Sequence, residues 1–387
     1  MSANLKSGLL TLLVLTSVTG CDGESSYDVT AAGSTNLSGF DFQTGSLPIP
    51  REPNDNPASE EKFQLGRHLF YDKRLSGNQT FACESCHQQA LAFTDGLAVP
   101  TGSTGEVLHR NSQTLTNVAY NASYTWANPV LHTIEQQLVI PLFGEFPVEM
   151  GINDANRDEI LQRFEQDPRY QTLFNQAFPN EQQPVTLPNI IKALAVFNRA
   201  LISKESDFDQ GTMSSAALRG QALFNSEKME CFHCHSGFNF SDSTLHADTV
   251  FVSRPFFNTG LYNLDEQGSY PAQNNGLYTV TQNATDKGKF RPPTLRNLAY
   301  TAPYMHDGSI ATLSEVLDFY AAGGRHIESG FYQGDGRLNP NKSEFVNGFT
   351  LSPQEKQDVL AFLGALNDEA FVRNPRYANP FLPEDNQ

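Results

Sequence analysis

Cys83-Glu84-Ser85-Cys86-His87 returns 148 residues later as Cys231-Phe232-His233-Cys234-His235. In C-x-x-C-H, two thiols a helical turn apart add to the two vinyl groups of a haem, and the histidine that follows is placed to ligate the iron. Two rival chemistries use the same residue types. A zinc ribbon pairs its C-x-x-C knuckles roughly 15–20 residues apart, far closer than here. A thioredoxin-like dithiol belongs in a βαβ context, and no such alternation surrounds either motif. The expected cofactors are therefore two covalently bound c-type haems. One is held by Cys83, Cys86 and His87, the other by Cys231, Cys234 and His235. His233 cannot easily reach the iron of its own haem and is read as a surface residue.

Upstream, Lys6 leads into an apolar run from Leu9 to Val18. That run is too short to span a bilayer, which takes about 20 residues, and it fits an export signal over residues 1–20. It ends in Val18-Thr19-Gly20-Cys21, which resembles a bacterial lipobox, where the cysteine is lipidated and begins the mature chain. This accounts for Cys21, the fifth cysteine; the plainer alternative is an ordinary signal peptide with a free cysteine nearby. Either way the expected address is the periplasm, with the membrane reached through a lipid anchor only.

Lys6 is the only charged residue in the first 20, so the remainder carries 25 basic against 43 acidic residues, or −18. Such a surface disfavours nucleic acid and anionic lipid as partners. A small basic electron carrier, or a basic patch on a protein substrate, suits it better. Residues 21–56 are rich in Ser, Thr, Gly and Asp and read as a flexible tether.

The rest of the chain reads as a repeat. Gly66-Arg67-His68-Leu69-Phe70 precedes the first haem motif, and Gly220-Gln221-Ala222-Leu223-Phe224 the second. Downstream, Thr114-Leu115-Thr116-Asn117-Val118-Ala119-Tyr120 is matched by Thr294-Leu295-Arg296-Asn297-Leu298-Ala299-Tyr300, with Tyr124 and Tyr304 following each copy. The fold expected is mainly α: two cytochrome c-like haem domains related by internal duplication, at 57–210 and 211–373, with a tail at 374–387. Helices are expected after a cap at Ser59, over Leu187 to Ser203, after Ser214 or Ser215, after the capping box Thr312-Leu313-Ser314-Glu315, and from Ser352-Pro353. Residues 236–290 lack periodicity and read as long loops with short strands. His68, inside the first helix, is read as a packing or propionate-facing residue.

Further stretches make a family resemblance specific: Leu69-Phe70-Tyr71-Asp72-Lys73-Arg74-Leu75-Ser76-Gly77, Ala92-Phe93-Thr94-Asp95-Gly96, Pro147-Val148-Glu149-Met150-Gly151 and Ala302-Pro303-Tyr304-Met305-His306-Asp307-Gly308. With them, residues 57–373 resemble the bacterial di-haem cytochrome c peroxidases, in the branch that contains MauG and the methanobactin-associated di-haem oxidase. The resemblance implies a peroxide-binding haem in the N-terminal domain and an electron-transfer haem in the C-terminal one.

Two departures sharpen it. Many family members carry a distal histidine sixteen residues after the first proximal one; here that position is Ser103, as in MauG-like enzymes whose peroxide-binding iron is open. His109 is the nearest histidine and is read as a loop residue. Many members also place a methionine fourteen residues after the His-Asp-Gly histidine, where this chain has Tyr320. A phenolate ligand stabilises oxidised iron better than a thioether.

The resemblance further implies that Glu149 and Gln137 line the peroxide pocket, with Glu149 moving a proton between the peroxide oxygens. It implies that Trp126 lies between the haems as a hole relay. It also implies one calcium ion, bound by the Asn111 side chain and the carbonyls of Thr301 and Pro303. Three functions stay open. The first is a MauG-like oxidase that uses hydrogen peroxide to oxidise an aromatic residue, a tryptophan, of a partner protein. The second is a cytochrome c peroxidase fed by a small cytochrome or cupredoxin. The third is a non-catalytic di-haem electron carrier.

Overall fold

A glycine clamps each of the two helix pairs that carry the fold. The structure, a computed structural model, describes residues 27–29 and 38–382. The expected signal (1–20) and Cys21 lie outside the described residues. In the first half α1 (Glu60–Tyr71), α2 (Ile134–Phe143), α3 (Arg157–Glu165), α4 (Pro168–Ala177) and α5 (Leu187–Arg199) surround one apolar cluster. In the second, α6 (Asp207–Gln210), α7 (Ser215–Phe224), α8 (Tyr278–Thr281), α9 (Leu313–Ala321), α10 (Pro353–Gly364) and α11 (Glu369–Val372) follow. Ser59 caps α1 and Ser214 caps α7, while Thr312 and Ser352 close reciprocal capping boxes on α9 and α10. Each satisfies N-terminal N–H groups that would otherwise lack partners.

Packing repeats as the sequence does. α1 crosses α5 at Gly66, where a Cβ would lie 2.0 Å from the Ala193 carbonyl oxygen; α7 crosses α10 at Gly220, where it would lie 1.9 Å from that of Asp358. Asn117 and Asn297 both adopt the left-handed conformation, at φ 53° and 64°. Their side-chain oxygens accept from the backbone N–H of Ser203 and of Asp368, at 2.7 Å each. Strand is sparse. Three antiparallel pairs join β1 (Tyr27–Val29) to β2 (Phe251–Ser253), β3 (Phe257–Asn258) to β4 (Lys289–Phe290), and β5 (His326–Ile327) to β6 (Gly334–Asp335).

Two expected boundaries do not match the packing. The tether of 21–56 includes Phe40 and Phe42, which are buried, with the Phe40 ring centroid 6.2 Å from that of Phe63. Polar composition concealed these aromatic anchors, whose burial makes 38–56 part of the body. The end of the second unit and the start of the tail also belong to the first apolar cluster. Tyr71 Oη donates to the Tyr377 carbonyl at 2.7 Å, and Phe371 packs on Phe93.

Candidate active site

Both C-x-x-C segments form single 3-10 turns, Cys83–Ser85 and Cys231–His233. The histidine N–H then closes back on the carbonyl of the first cysteine, at 3.0 Å in each copy. Nδ1 of His87 lies 2.8 Å from the Phe93 carbonyl, and Nδ1 of His235 lies 3.0 Å from that of Phe240. Phe93 and Phe240 are themselves left-handed, at φ 62° and 49°, an uncommon conformation for a bulky residue. A carbonyl can only accept, so Nδ1 carries the proton and Nε2 keeps its lone pair for a metal. Burial also holds both rings neutral by lowering their pKa.

The thiols are unlike those of a dithiol enzyme. Burial pushes Cys83, Cys86 and Cys231 up to about 12 and raises Cys234 as well, with nearby carboxylates adding to the effect at all four. A reactive thiolate needs the opposite, an electropositive setting.

Glu149 approaches the first motif closely enough for its charge to raise both cysteines there. Its own carboxyl is pushed up to about 7 by burial. The segment that carries it is fixed from two sides. The N–H groups of Met150 and Ile152 donate to the last carbonyls of α2, Pro141 and Leu142, at 2.9 and 3.0 Å. On the other side Ser103 N–H donates to the Glu149 carbonyl at 2.8 Å. Gly102 permits that approach, since a Cβ there would lie 1.7 Å from the Val148 oxygen. Ser103 itself is buried, and His109 is an exposed loop residue. Gln137 sits half-buried on α2, two residues beyond Glu135 and so roughly 200° round the helix. Glu135 is tied to buried Arg199 of α5 at 2.7 Å, which sets the rotation of α2.

Trp126 stands at the junction of two cavities. Its Nε1 donates to the Asn111 carbonyl at 2.8 Å, its own carbonyl accepts from Arg291 N–H at 2.8 Å, and its ring lies edge-on to His306 at 6.5 Å. A cavity of about 80 Å³ on one side is lined by Trp126, Asn111, Thr301 and Pro303, so the three residues expected around calcium share one space. Asn111 Nδ2 donates to the Leu97 carbonyl, leaving its Oδ1 to accept.

On the other side lies a larger, mostly apolar space of about 200 Å³, partly open to solvent. Cys231, Cys234 and His235 line it, and so do Leu313, Val316, Leu317 and Tyr320 of α9. The last four follow the i, i+3, i+4, i+7 stripe of one helix face, and the capping box fixes where that face points. Tyr320 is brought together with His235, and its phenol is pushed well above the ordinary range, by burial first and by Cys234 and Cys231 next.

Two polar residues on the walls fit a bound haem. Arg291 is buried and forms no ion pair among the described residues; only carbonyl and amide oxygens contact its guanidinium. Burial lowers it to about 10. An uncompensated buried cation costs several kcal/mol, and a haem propionate is the anion it lacks. His306 is buried, stacked on Phe290 at 3.7 Å, lowered to about 3 by burial, and its Nε2 has no partner. Sequence reading used His306 only as a family landmark from which Tyr320 is counted, and it missed Arg291, because a single Arg in a loop carries no pattern. His233, expected as a surface residue, is half-buried, stacked on Phe345 at 4.0 Å and paired with Glu230 at 2.7 Å.

The sequence signature of di-haem cytochrome c peroxidases matches residues 60–217. Cytochrome-c peroxidase IdrP1 of Pseudomonas sp. (strain SCT) is 36% identical over 340 residues, 83% of this chain and 84% of that protein. Methylamine utilization protein MauG of Methylorubrum extorquens is 31% identical over 323 residues, 82% of this chain and 81% of that one. Among solved structures, a MauG-like protein associated with microbial copper homeostasis is 49% identical with a TM-score of 0.86, covering 87% of this chain and 98% of that one. With haem-competent histidines in both halves and relatives aligned across both, the chain belongs to the di-haem cytochrome c peroxidase family that includes MauG, and it is a haem-dependent peroxidase or oxidoreductase with two c-type haems.

Proposed function

We propose that this protein uses hydrogen peroxide to oxidise an aromatic residue, a tryptophan, of a partner protein at long range. The observation that carries this reading is the shared cavity of His235 and Tyr320. When bound there, a haem with a phenolate ligand holds oxidising equivalents better than one with a thioether. At the first haem, held by Cys83, Cys86 and His87, Ser103 in place of a distal histidine leaves room for peroxide. Glu149, poised near neutrality, takes the proton from the inner peroxide oxygen and delivers it to the outer one. Gln137 orients peroxide beside it, and Trp126 passes charge between the two halves.

In this reading two haem domains arise by duplication, divided near 210, and the first also draws in Phe40, Phe42, Phe371, Val372 and Tyr377. The chain is exported, periplasmic and anchored through Cys21. Asn111, Thr301 and Pro303 offer a calcium ion hard oxygen donors. Their cavity has no carboxylate in its lining and has Arg291 on its wall, so such an ion keeps much of its water.

The second reading, a peroxidase drawing electrons from a small cytochrome or cupredoxin, is favoured by the identity to a protein named cytochrome-c peroxidase. The deciding experiment mixes the holoprotein, peroxide and the product of the neighbouring gene, then reads that product by mass spectrometry. A partner that gains oxygen or loses hydrogen supports oxidation of a protein. An unchanged partner mass with fast turnover of reduced cytochrome establishes the second reading instead.

A further inference from the structure

Beyond the junction tryptophan, a file of aromatic rings runs out to the surface. From Trp126 the ring of His306 is 6.5 Å away, and Tyr270 lies 6.1 Å from His306. Tyr262 follows at 5.4 Å and Tyr332 at 5.6 Å. Tyr270 and Tyr262 are buried, whereas Tyr332 is 42% exposed beside Phe331, which is 93% exposed. These last two sit in the turn between β5 and β6.

The three phenols differ in where a proton can go. Tyr270 Oη donates to the Asn258 side-chain oxygen at 2.8 Å and accepts from Leu261 N–H. An amide oxygen is too weak a base to keep a proton. Tyr262 Oη instead donates to the Asp307 carboxylate at 2.6 Å. The Arg325 guanidinium lies over the Tyr262 ring at 4.3 Å. That cation opposes a positively charged ring, so an electron can leave Tyr262 only if its proton leaves too. Asp307 is placed to receive it.

We propose that Tyr270, Tyr262 and Tyr332 form a relay that carries oxidising equivalents from the Trp126–His306 wall to the surface, with Tyr262 as the resting station. The proposal rests on the peroxide reading above, which supplies the oxidant: the haem pair once peroxide has oxidised it. One electron passes from Tyr262 through Tyr270 towards that pair. The O–H bond of Tyr262 breaks, its proton joins the Asp307 carboxylate, and a neutral phenoxyl radical remains. An electron from an aromatic side chain of the partner, arriving through Tyr332, reduces the phenoxyl to phenolate, and the proton returning from Asp307 restores the phenol. The exposed apolar rings of Phe331 and Tyr332 mark the end at which a protein donor makes contact.

The test treats the full holoprotein with peroxide and follows the haem bands optically and the radical by EPR. Wild type should show haem oxidation and then a tyrosyl signal. Tyr262→Phe, which keeps the ring contacts, should oxidise its haems at the wild-type rate and lose that signal. Asp307→Asn keeps an acceptor for the Tyr262 hydroxyl but not a base, and the signal should form about 10²-fold more slowly, the low end of acid–base assistance. Tyr332→Phe should retain the signal and slow modification of the partner. Haem bands that respond to peroxide with no tyrosyl signal overturn the relay and leave the peroxide reaction standing. Partner oxidation at the wild-type rate in Tyr262→Phe does the same. Haem bands unmoved by peroxide in wild type overturn the proposed function, and the relay falls with its oxidant.

Discussion

Ser103 donates its backbone N–H to the carbonyl of Glu149 at 2.8 Å, so the loop that lacks a distal histidine also holds in place the segment that carries the proposed acid–base carboxyl. In the proposed function, one contact thus ties the open coordination site to the proton carrier. Burial, not a charged partner, sets the carboxyl near 7.

From this follows a pH dependence. The carboxylate form accepts the peroxide proton, so the peroxide reaction should accelerate as pH rises through about 7. Glu149→Gln should slow it by roughly 10²–10⁴-fold and flatten the profile. Stopped-flow optical traces across pH check both. The stability effect has the opposite sense. A carboxyl raised from 4.5 to about 7 binds protons in the folded state that the unfolded chain has released, so stability falls as pH climbs through that window. In Glu149→Gln that component of the slope should vanish from denaturant midpoints.

Ligation can be read directly. The oxidised protein should give one high-spin EPR signal, from the site of His87 and Ser103, and one low-spin signal, from that of His235 and Tyr320. Tyr320→His should retain both haems but shift the second signal to bis-histidine character. Two low-spin signals at rest in wild type would refute the open first site.

Trp126 is expected to act on charge sharing alone. Trp126→Phe removes the hydrogen bond to the Asn111 carbonyl and replaces indole with a phenyl ring that is much harder to oxidise. Peroxide should still react at the first site, while the optical change at the second should lag behind it. Simultaneous changes in the variant would remove Trp126 from the path.

The helix crossings make a stability prediction. Gly66→Ala and Gly220→Ala each place a methyl group about 2 Å from a backbone oxygen of the facing helix. Each should cost about 1–3 kcal/mol or more, the usual penalty of overpacking. A chemical denaturation midpoint checks this. An unchanged midpoint in either variant would mean that the helices part at little cost.

Much of this protein was written in its sequence. The haem motifs, the caps at Ser59, Ser214, Thr312 and Ser352, and the repeated Thr-x-x-Asn stretch depend on neighbours within a few residues. Short-range chemistry of that kind is legible in a string. The capping box at Thr312 located the helix that carries Tyr320, but only the family register, fourteen residues on from His306, singled that tyrosine out. By contrast, the packing of 371–378 on the first cluster, the pairing of α2 with α5 through Glu135 and Arg199, and the burial of Phe40 and Phe42 had no local signature. Composition reads as tether or tail until a partner surface exists. Arg291, His306 and the rings of Tyr262, Tyr270 and Tyr332 likewise gain their meaning from residues far away in the chain. The sequence decided which groups could meet a haem; tertiary packing decided which of them are buried without a partner, because burial and distance are properties of the folded chain.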